Sequence, residues 1–302
     1  MTHSIFLSIL IPVYNWDVSS LLEHLVSQTQ CLQNSNSLEI IVMDDGSSWR
    51  YEISSSLLDC PLIHYHAFDE NRGRAAIRQM LLNESAGECV LFLDADMLPD
   101  DDCFLQRYVE HAEAGNDIVC GGISYLQHRD EGGDFSFYLY KSAKTEAIPA
   151  EKRRRAPWRY LFTSNVMVRR QVAETVPFDC RFSGYGFEDI EWGLRLSEIY
   201  KIQHIDNTCT HMGLQTQKQT FAKMRESIDN YVLLLTLHPR QTERSSAVRT
   251  SRFLNILPTF FLHRLDRVLS ALFFAAPSHA LSFVFFQCDK MILLAKALKE
   301  KR

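Results

Sequence analysis

Residues 89–96 read CVLFLDAD: five apolar side chains, Cys89 to Leu93, run without a break into Asp94-Ala95-Asp96. A short unbroken apolar run that stops at acids predicts a β-strand buried on both faces. The same construction recurs upstream. Residues 5–13 form an apolar run closed by Pro12 and Asn15, and residues 38–43 form one broken by Asp44-Asp45-Gly46-Ser47. Residues 62–66 give a shorter strand. Between these runs the spacing is helical: Leu21, Leu22, Leu25 and Val26, then residues 73–84 with Ala76, Ile77, Met80 and Leu81 on one face. Further on, residues 118–120, 164–168 and 202–205 predict strands, 190–199 a helix and 221–237 one long helix.

Apolar strands alternating with helices from residue 5 to residue 120 predict an α/β fold, with a mostly parallel, Rossmann-like sheet flanked by helices. In such sheets ligands bind beyond the carboxyl ends of the strands. Three strands end in polar clusters, at Tyr14-Asn15, Asp44 to Ser47 and Asp94 to Asp96, so parallel strands would bring all three to one rim. Residues 127–160 differ. Gly132-Gly133, several aromatics and the basic run Lys152 to Arg155 before Pro157 predict mobile loops around a short irregular hairpin.

A chain of 302 residues, 46% apolar and 23% charged, holds one large α/β domain or two ordinary ones. It is no disulfide mini-protein, collagen-like chain or disordered tail. With 32 Lys and Arg against 37 Asp and Glu, a net of −5, nucleic acid is not an expected partner. The charge is uneven: residues 240–302 carry 11 basic and 4 acidic residues, residues 1–239 the other 21 and 33. The expected division is an acidic α/β body over 1–239 and a basic, apolar helical extension over 240–302. Eight scattered cysteines without a C-x-x-C pair suit a reducing compartment. The opening residues lack a basic stretch and a small-residue cleavage site, and read as a first strand rather than a leader.

Two carboxylates at i and i+2 after a buried strand suit a hard divalent cation, Mg²⁺ or Mn²⁺, which takes oxygen ligands and keeps substrate phosphate and water. Five segments occur in order: SILIPVYN (8–15), IIVMDDGS (40–47), ENRGRAAIRQ (70–79), LFLDADM (91–97) and GYGFEDIEWGLRL (184–196). Together they resemble glycosyltransferase family 2, whose members have the GT-A fold and use nucleotide-diphosphate sugars; the resemblance covers roughly residues 5–237.

The resemblance implies a metal-assisted, inverting transfer from a nucleotide-diphosphate sugar, commonly a UDP-sugar, to a hydroxyl of a glycan or lipid-linked acceptor. It also implies a place in cell-surface polysaccharide synthesis. Pro12 and Tyr14 match the first-strand motif beside the nucleotide base, and Asp45 the acid that accepts a hydrogen bond from that base. Arg72, Gly73 and Arg78 fall on the helix start that suits phosphate; Gln79 replaces the family's asparagine there. Asp94 matches the ribose-contacting acid and Asp96 the metal ligand. His211 matches an imidazole that joins the metal, and Asn165 a segment behind the donor sugar. Asp189 matches the general base and Glu188 a contact to acceptor or donor sugar. A helix N-terminus is expected to keep Asp189 ionised and a weak base. The G-F-E-D-x-E-W form resembles galactose- and N-acetylgalactosamine-type transferases. Trp192 reads as helix packing, and the Lys152 to Arg155 run as a solvated loop or a lid for an anionic acceptor.

In the tail, residues 268–286 contain no Asp, Glu, Lys or Arg, but Pro277, Ser278 and His279 interrupt them. Two apolar helices meeting there fit better than one membrane span. Arg264 and Arg267 precede the stretch, and Lys290, Lys296, Lys299, Lys301 and Arg302 follow it, which suits either an anionic membrane surface or packing on protein. The expected location is the cytoplasm, peripherally at the inner face of the cell membrane. Two other readings share the fold: a non-catalytic nucleotide-sugar binder or membrane adaptor, and a sugar-nucleotide pyrophosphorylase. The latter needs a Gly-rich basic loop where this chain has Pro12-Val13-Tyr14-Asn15.

Overall fold

The computed structural model describes residues 6–29, 32, 38–49, 51–128 and 132–300. Ile5 of the first expected strand, residues 129–131, and Lys301 and Arg302 of the tail lie outside the described residues. The strands are β1 (Leu7–Val13), β2 (Leu38–Asp44), β3 (Ile63–Ala67), β4 (Cys89–Leu93), β5 (Met97–Pro99), β6 (Ile118–Cys120), β7 (Ile123–Ser124), β8 (Asn165–Arg169), β9 (Ile202–His204) and β10 (Cys209–His211). They form a seven-stranded sheet in the order β3-β2-β1-β4-β8-β6-β9 and a three-stranded sheet in the order β5-β10-β7.

In the large sheet every neighbouring pair is parallel except those of β8, which runs against both β4 and β6. The carboxyl ends of β1, β2 and β4 therefore share one edge, as the polar clusters predict. Side chains alternate across a strand, and both faces are covered. Ile9, Ile11, Ile40, Val42 and Leu91 enter a core with the helices Ser19–Thr29 and Phe104–Glu113. Leu10, Ile41, Val90 and Phe92 enter another with the helices Arg74–Glu84, Arg170–Thr175 and Glu188–Ile199. Burial on both sides explains why these strands are apolar throughout. Trp192 packs as expected: it is fully buried, lies 4.3 Å from Phe178 and 5.8 Å from Phe92 by ring centroids, and donates its indole N–H to the Val176 carbonyl at 2.6 Å.

Two local expectations are corrected. Residues 127–160 hold no hairpin among the described residues; they carry the helices Ser136–Thr145 and Ala150–Arg153 and short 3-10 turns. Phe137 and Tyr138 are buried, and anchoring these rings favours a helix over a loop. The long helix expected at 221–237 is two, Gln217–Glu226 and Ile228–Leu237, separated by Ser227, whose hydroxyl donates back to the Met224 carbonyl.

The chain divides into two compact units: residues 1–129, 145–181 and 188–213, which contain both sheets, and residues 130–144, 182–187 and 214–302, whose regular elements among the described residues are helices. A sequence boundary at 239 falls inside the second unit. The reason lies in its packing. Phe221 and Met224 join Phe137, Phe273 and Phe286 in one cluster, and Arg225 pairs with Asp266 at 2.8 Å and Asp289 at 3.1 Å. In the same unit the backbone of Phe187 is left-handed, and its ring stacks on Tyr231 at 4.4 Å. The helices Thr259–Ala275 and His279–Glu300 meet at Pro277-Ser278, as expected. No helix among the described residues is long and apolar enough to cross a membrane.

Trp192→Ala removes a buried ring and leaves the Val176 carbonyl without its donor. Urea unfolding should show a loss of about 3–5 kcal/mol.

Candidate active site

The edge is built from the strand ends upward. Past β1, Tyr14 is 51% exposed, a ring open to a planar ligand, while Pro12 is half-buried within the strand. The next residue, Asn15, has a left-handed φ of 50°. Its N–H donates to Ser47 Oγ at 2.8 Å, and its Oδ1 accepts from the Ser48 N–H at 2.8 Å. Asp44 Oδ1 takes the Ser47 N–H at 2.8 Å. The ends of β1 and β2 are thus locked together.

Asp45 is buried, and its two carboxylate oxygens take different amides: Oδ1 accepts from Arg72 at 2.8 Å and Oδ2 from Gly73 at 3.0 Å. Its carbonyl also accepts from Asn71 Nδ2 at 3.1 Å. The acid therefore ties the loop 70–73 to the sheet and fixes where the helix Arg74–Glu84 begins. Burial raises the Asp45 pKa, against the lowering effect of the two backbone amides. Gly46 makes the loop's approach possible. Its φ is +72°, and a Cβ there would stand 2.5 Å from the Glu70 carbonyl carbon and 2.7 Å from the Asn71 nitrogen. Arg72 lays its guanidinium over the Phe68 ring at 4.5 Å.

The first turns of that helix aim two arginines at two acids. Arg78, 2% exposed, donates to Asp94 Oδ1 at 2.7 Å, and its Nη1 lies 3.9 Å from Glu188 Oε1. Arg74 reaches Asp94 Oδ2 and Glu188 Oε1, both at 3.4 Å. The acid after β4 and the acid at the start of the helix Glu188–Ile199 are thus held around the same pair of cations. Arg78 Nε and Nη1 are buried without a hydrogen-bond partner. Unsatisfied buried donors are unfavourable by about 1–3 kcal/mol each and are rare without a ligand or function. Arg74 was not singled out in the sequence. The signal was its position one helical turn before Arg78, which puts both on one face.

Asp189, next to Glu188, is only partly exposed and accepts from the Thr163 hydroxyl at 2.6 Å. Its pKa is pushed up to about 6, first by burial and then by the charge of Glu188; Arg78, Arg74 and Thr163 pull the other way. A carboxyl near 6 is still mostly ionised at neutral pH and is a stronger base than a solvated aspartate, because burial disfavours its charged form.

Asp96 and His211 meet through the small sheet. β5 follows Asp96 directly and pairs antiparallel with β10, placing His211 opposite Met97. His211 Nε2 comes within 3.2 Å of Asp96 Oδ2, and the Met212 N–H donates to the Asp96 carbonyl at 2.7 Å. Burial lowers the His211 pKa, but Asp96, Glu146 and Asp94 outweigh it and the net shift is upward. Asp100, also missed in the sequence, ties this sheet by accepting from the hydroxyls of Ser124, Thr208 and Thr210. Among the described residues no group of three or more His, Cys, Asp or Glu gathers as a metal cage. One carboxylate and one imidazole could hold a divalent cation only together with substrate phosphate and water.

Asn165 stands behind the edge, buried. Its Nδ2 donates to the carbonyls of Gly122 at 2.8 Å and Asn207 at 2.9 Å, and its Oδ1 accepts from the Tyr108 hydroxyl at 2.6 Å. The Lys152 to Arg155 run is not a uniform solvated loop. Arg153 is fully buried and donates to the carbonyls of Ile148, Cys120, Gly121 and Ile205.

The family model described as glycosyl transferase family 2 matches residues 8–176. The chain is 27% identical over 241 residues to an uncharacterised glycosyltransferase, YfnE, of Bacillus subtilis strain 168, covering 63% of this chain and 60% of that protein. It is 34% identical over 119 residues to undecaprenyl-phosphate 4-deoxy-4-formamido-L-arabinose transferase of Pseudomonas fluorescens strain Pf0-1, covering 37% and 34%. The chain thus spans at most 60% of the length of these curated relatives. Among solved structures it resembles the mannosyltransferase PcManGT of Pyrobaculum calidifontis in complex with GDP-Man and Mn²⁺, with TM-score 0.54 and 16% identity over 98% of this chain and 86% of the other. It also resembles S. aureus TarS 1–349 in complex with UDP, with TM-score 0.51 and 15% identity over 98% and 90%. These likenesses show the fold, which is of the GT-A type.

Gly46→Ala forces a Cβ into the loop and a side chain into left-handed backbone. Urea unfolding should report a loss of about 1–3 kcal/mol. Amide exchange at Arg72 and Gly73 should accelerate as the Asp45 clamp loosens.

Proposed function

The chain belongs to glycosyl transferase family 2, and on that premise we propose that it transfers a sugar from a nucleotide-diphosphate donor, a UDP-sugar, to a hydroxyl of a glycan or lipid-linked acceptor. The observation that carries this reading is the gathering of Asp94 and Glu188 around Arg74 and Arg78, beside the clamped Asp45. Arg78 keeps two buried N–H donors without partners there. Carboxylates alone would repel a diphosphate; arginines set among them receive it.

Tyr14 and Pro12 take the base. Asp45 gives one lone pair on each oxygen to the loop amides and retains others for an imide N–H. Arg72, Gly73 and Arg78 are assigned to the phosphates, Asp94 to the ribose, and Asn165 to a place behind the donor sugar. Asp96 and His211 would hold Mn²⁺ or Mg²⁺. That cation, when bound, neutralises charge on the departing diphosphate. The reaction is a single displacement with inversion: the acceptor oxygen bonds to the anomeric carbon, the bond from that carbon to the phosphate oxygen breaks, and its electron pair leaves with the diphosphate. Asp189 takes the acceptor proton, and Glu188 holds the acceptor or donor sugar.

The similar proteins support the partners: GDP-Man with Mn²⁺ and UDP are bound in the two solved structures, and the Pseudomonas fluorescens relative is an undecaprenyl-phosphate transferase. With a nucleotide-sugar donor and a lipid-linked acceptor, the proposed place of work is the cytoplasm, peripherally at the inner face of the cell membrane.

Asp189→Asn should lower turnover by about 10²–10⁴-fold while nucleotide binding, read by calorimetry, stays within a few-fold. Near-normal turnover would remove Asp189 from the role of base. The base works ionised, and its pKa is about 6, so kcat/KM should halve near that pH and fall tenfold per unit below it. Thr163→Val deletes a hydrogen bond that favours the ionised form, so the acid limb should move to higher pH. Asp96→Asn should weaken Mn²⁺-dependent binding of UDP; a Kd for UDP that is the same with Mn²⁺ and with chelator in the native chain would count against the metal assignment.

A further inference from the structure

We propose that the outer face of the helix Thr259–Ala275 is a docking surface for an anionic lipid bilayer. Phe261, Leu265, Val268 and Leu272 follow one another at i, i+4, i+7 and i+11, and they are 48%, 37%, 54% and 41% exposed. That spacing puts four large apolar side chains in one stripe along a single helix face. Arg264 and Arg267 are exposed on the same helix, each within one turn of the stripe. Nearby in sequence, Leu281 and Val284 of the helix His279–Glu300 are also exposed, at 43% and 52%.

The acids of these helices are arranged to leave this face cationic. Asp266, the one acid of Thr259–Ala275, is 7% exposed and is held by Arg225 at 2.8 Å and Lys296 at 2.7 Å. Asp289 is fully buried and pairs with Arg225. The other acid of His279–Glu300 is its last residue, Glu300. The inner side of the helix thus consumes its negative charge in buried pairs, while the outer side presents Phe, Leu, Val and Arg. Exposed apolar stripes of this kind mark interaction surfaces.

Charge selects the occupant. In a two-fold contact with a second copy, the stripe would meet itself, setting Arg264 and Arg267 near their own counterparts with no acid of the same helix exposed to pair them. A bilayer supplies both missing elements: acyl chains for the apolar stripe and anionic headgroups for the arginines, with the helix lying in the interface plane. No helix among the described residues spans a membrane, so the contact is peripheral. The proposal draws its purpose from the lipid-linked acceptor proposed above, but the surface is read from the second unit alone.

The test is flotation of the full chain with phosphatidylglycerol-containing vesicles and with pure phosphatidylcholine vesicles, in low and high salt. The native chain should float with the anionic vesicles and detach in high salt. Arg264→Gln combined with Arg267→Gln should weaken partition roughly 30-fold, and Val268→Glu combined with Leu272→Glu should abolish it. Thermal unfolding of both variants should match the native chain, since these positions are exposed; in a variant that unfolds early, single substitutions at Val268 and Arg267 replace the pair. Absence of the native chain from anionic vesicles, or variants that float as it does, would overturn the proposal. So would a dimer in sedimentation that the Val268→Glu, Leu272→Glu chain loses, since the face would then belong to a second copy. UDP binding in vesicle-free buffer, read by calorimetry with and without Mn²⁺, reports separately. UDP binding without flotation sinks the surface and spares the donor-site reading, and flotation without UDP binding does the reverse.

Discussion

The site depends on one guanidinium. Arg78 is almost wholly buried, yet it stands between acids from separate elements, Asp94 after β4 and Glu188 at a helix start. Without a cation these carboxylates would repel or take up protons. A buried ion pair is poor evidence of stability, because desolvation offsets much of its attraction. What it supplies here is placement: two strand-end and helix-end groups are drawn to a common centre. Placement of Arg78 depends in turn on where its helix begins, and that is set by Asp45 holding the Arg72 and Gly73 amides. The acid that resembles a base-binding residue therefore also fixes the start of the helix that carries Arg74 and Arg78.

Much of this was legible in the sequence, and the limits are physical. Apolar strands without alternation gave the doubly covered parallel sheet, and their polar ends gave the shared edge. Hydrophobicity did not reveal that β8 runs backwards, since a strand buried on both faces looks the same in either direction. Helix Ser136–Thr145 was hidden because glycines and charges read as loop, while its fixing contacts, Phe137 against Phe273 and Phe286, come from distant sequence. The raised Asp189 pKa was hidden because the helix dipole is a local effect visible in sequence, whereas burial is set by the tertiary fold. His211 came from family resemblance alone; no spacing in the chain connects it to Asp96.

Both units gather acids around an arginine. In the helical unit Arg225 is enclosed by Asp266, Asp289 and Ser270, and Lys296 completes the set. Burial there lifts Asp289 to about 6 against the pull of Arg225 and Lys296. In the sheet unit Arg74 is half-exposed and Arg78 keeps bare N–H groups. Each network keeps a buried polar atom without a hydrogen bond, Asp289 Oδ1 in the helical unit and the Arg78 donors in the sheet unit; one joins helices, and the other stands at the strand ends.

The pairing of β5 with β10 has an implication for how this chain tolerates insertions and deletions. Asp96 and His211 are juxtaposed by three paired residues on each strand. Side chains on a strand alternate, so one residue added between Asp96 and Met97, or removed between Cys209 and His211, would turn the imidazole or the carboxylate to the opposite face. Between Pro99 and Cys209, by contrast, surface loops can lengthen or shorten without disturbing the pair, provided the intervening strands stay in place. Length variation is thus permitted over the long excursion and forbidden at its two ends.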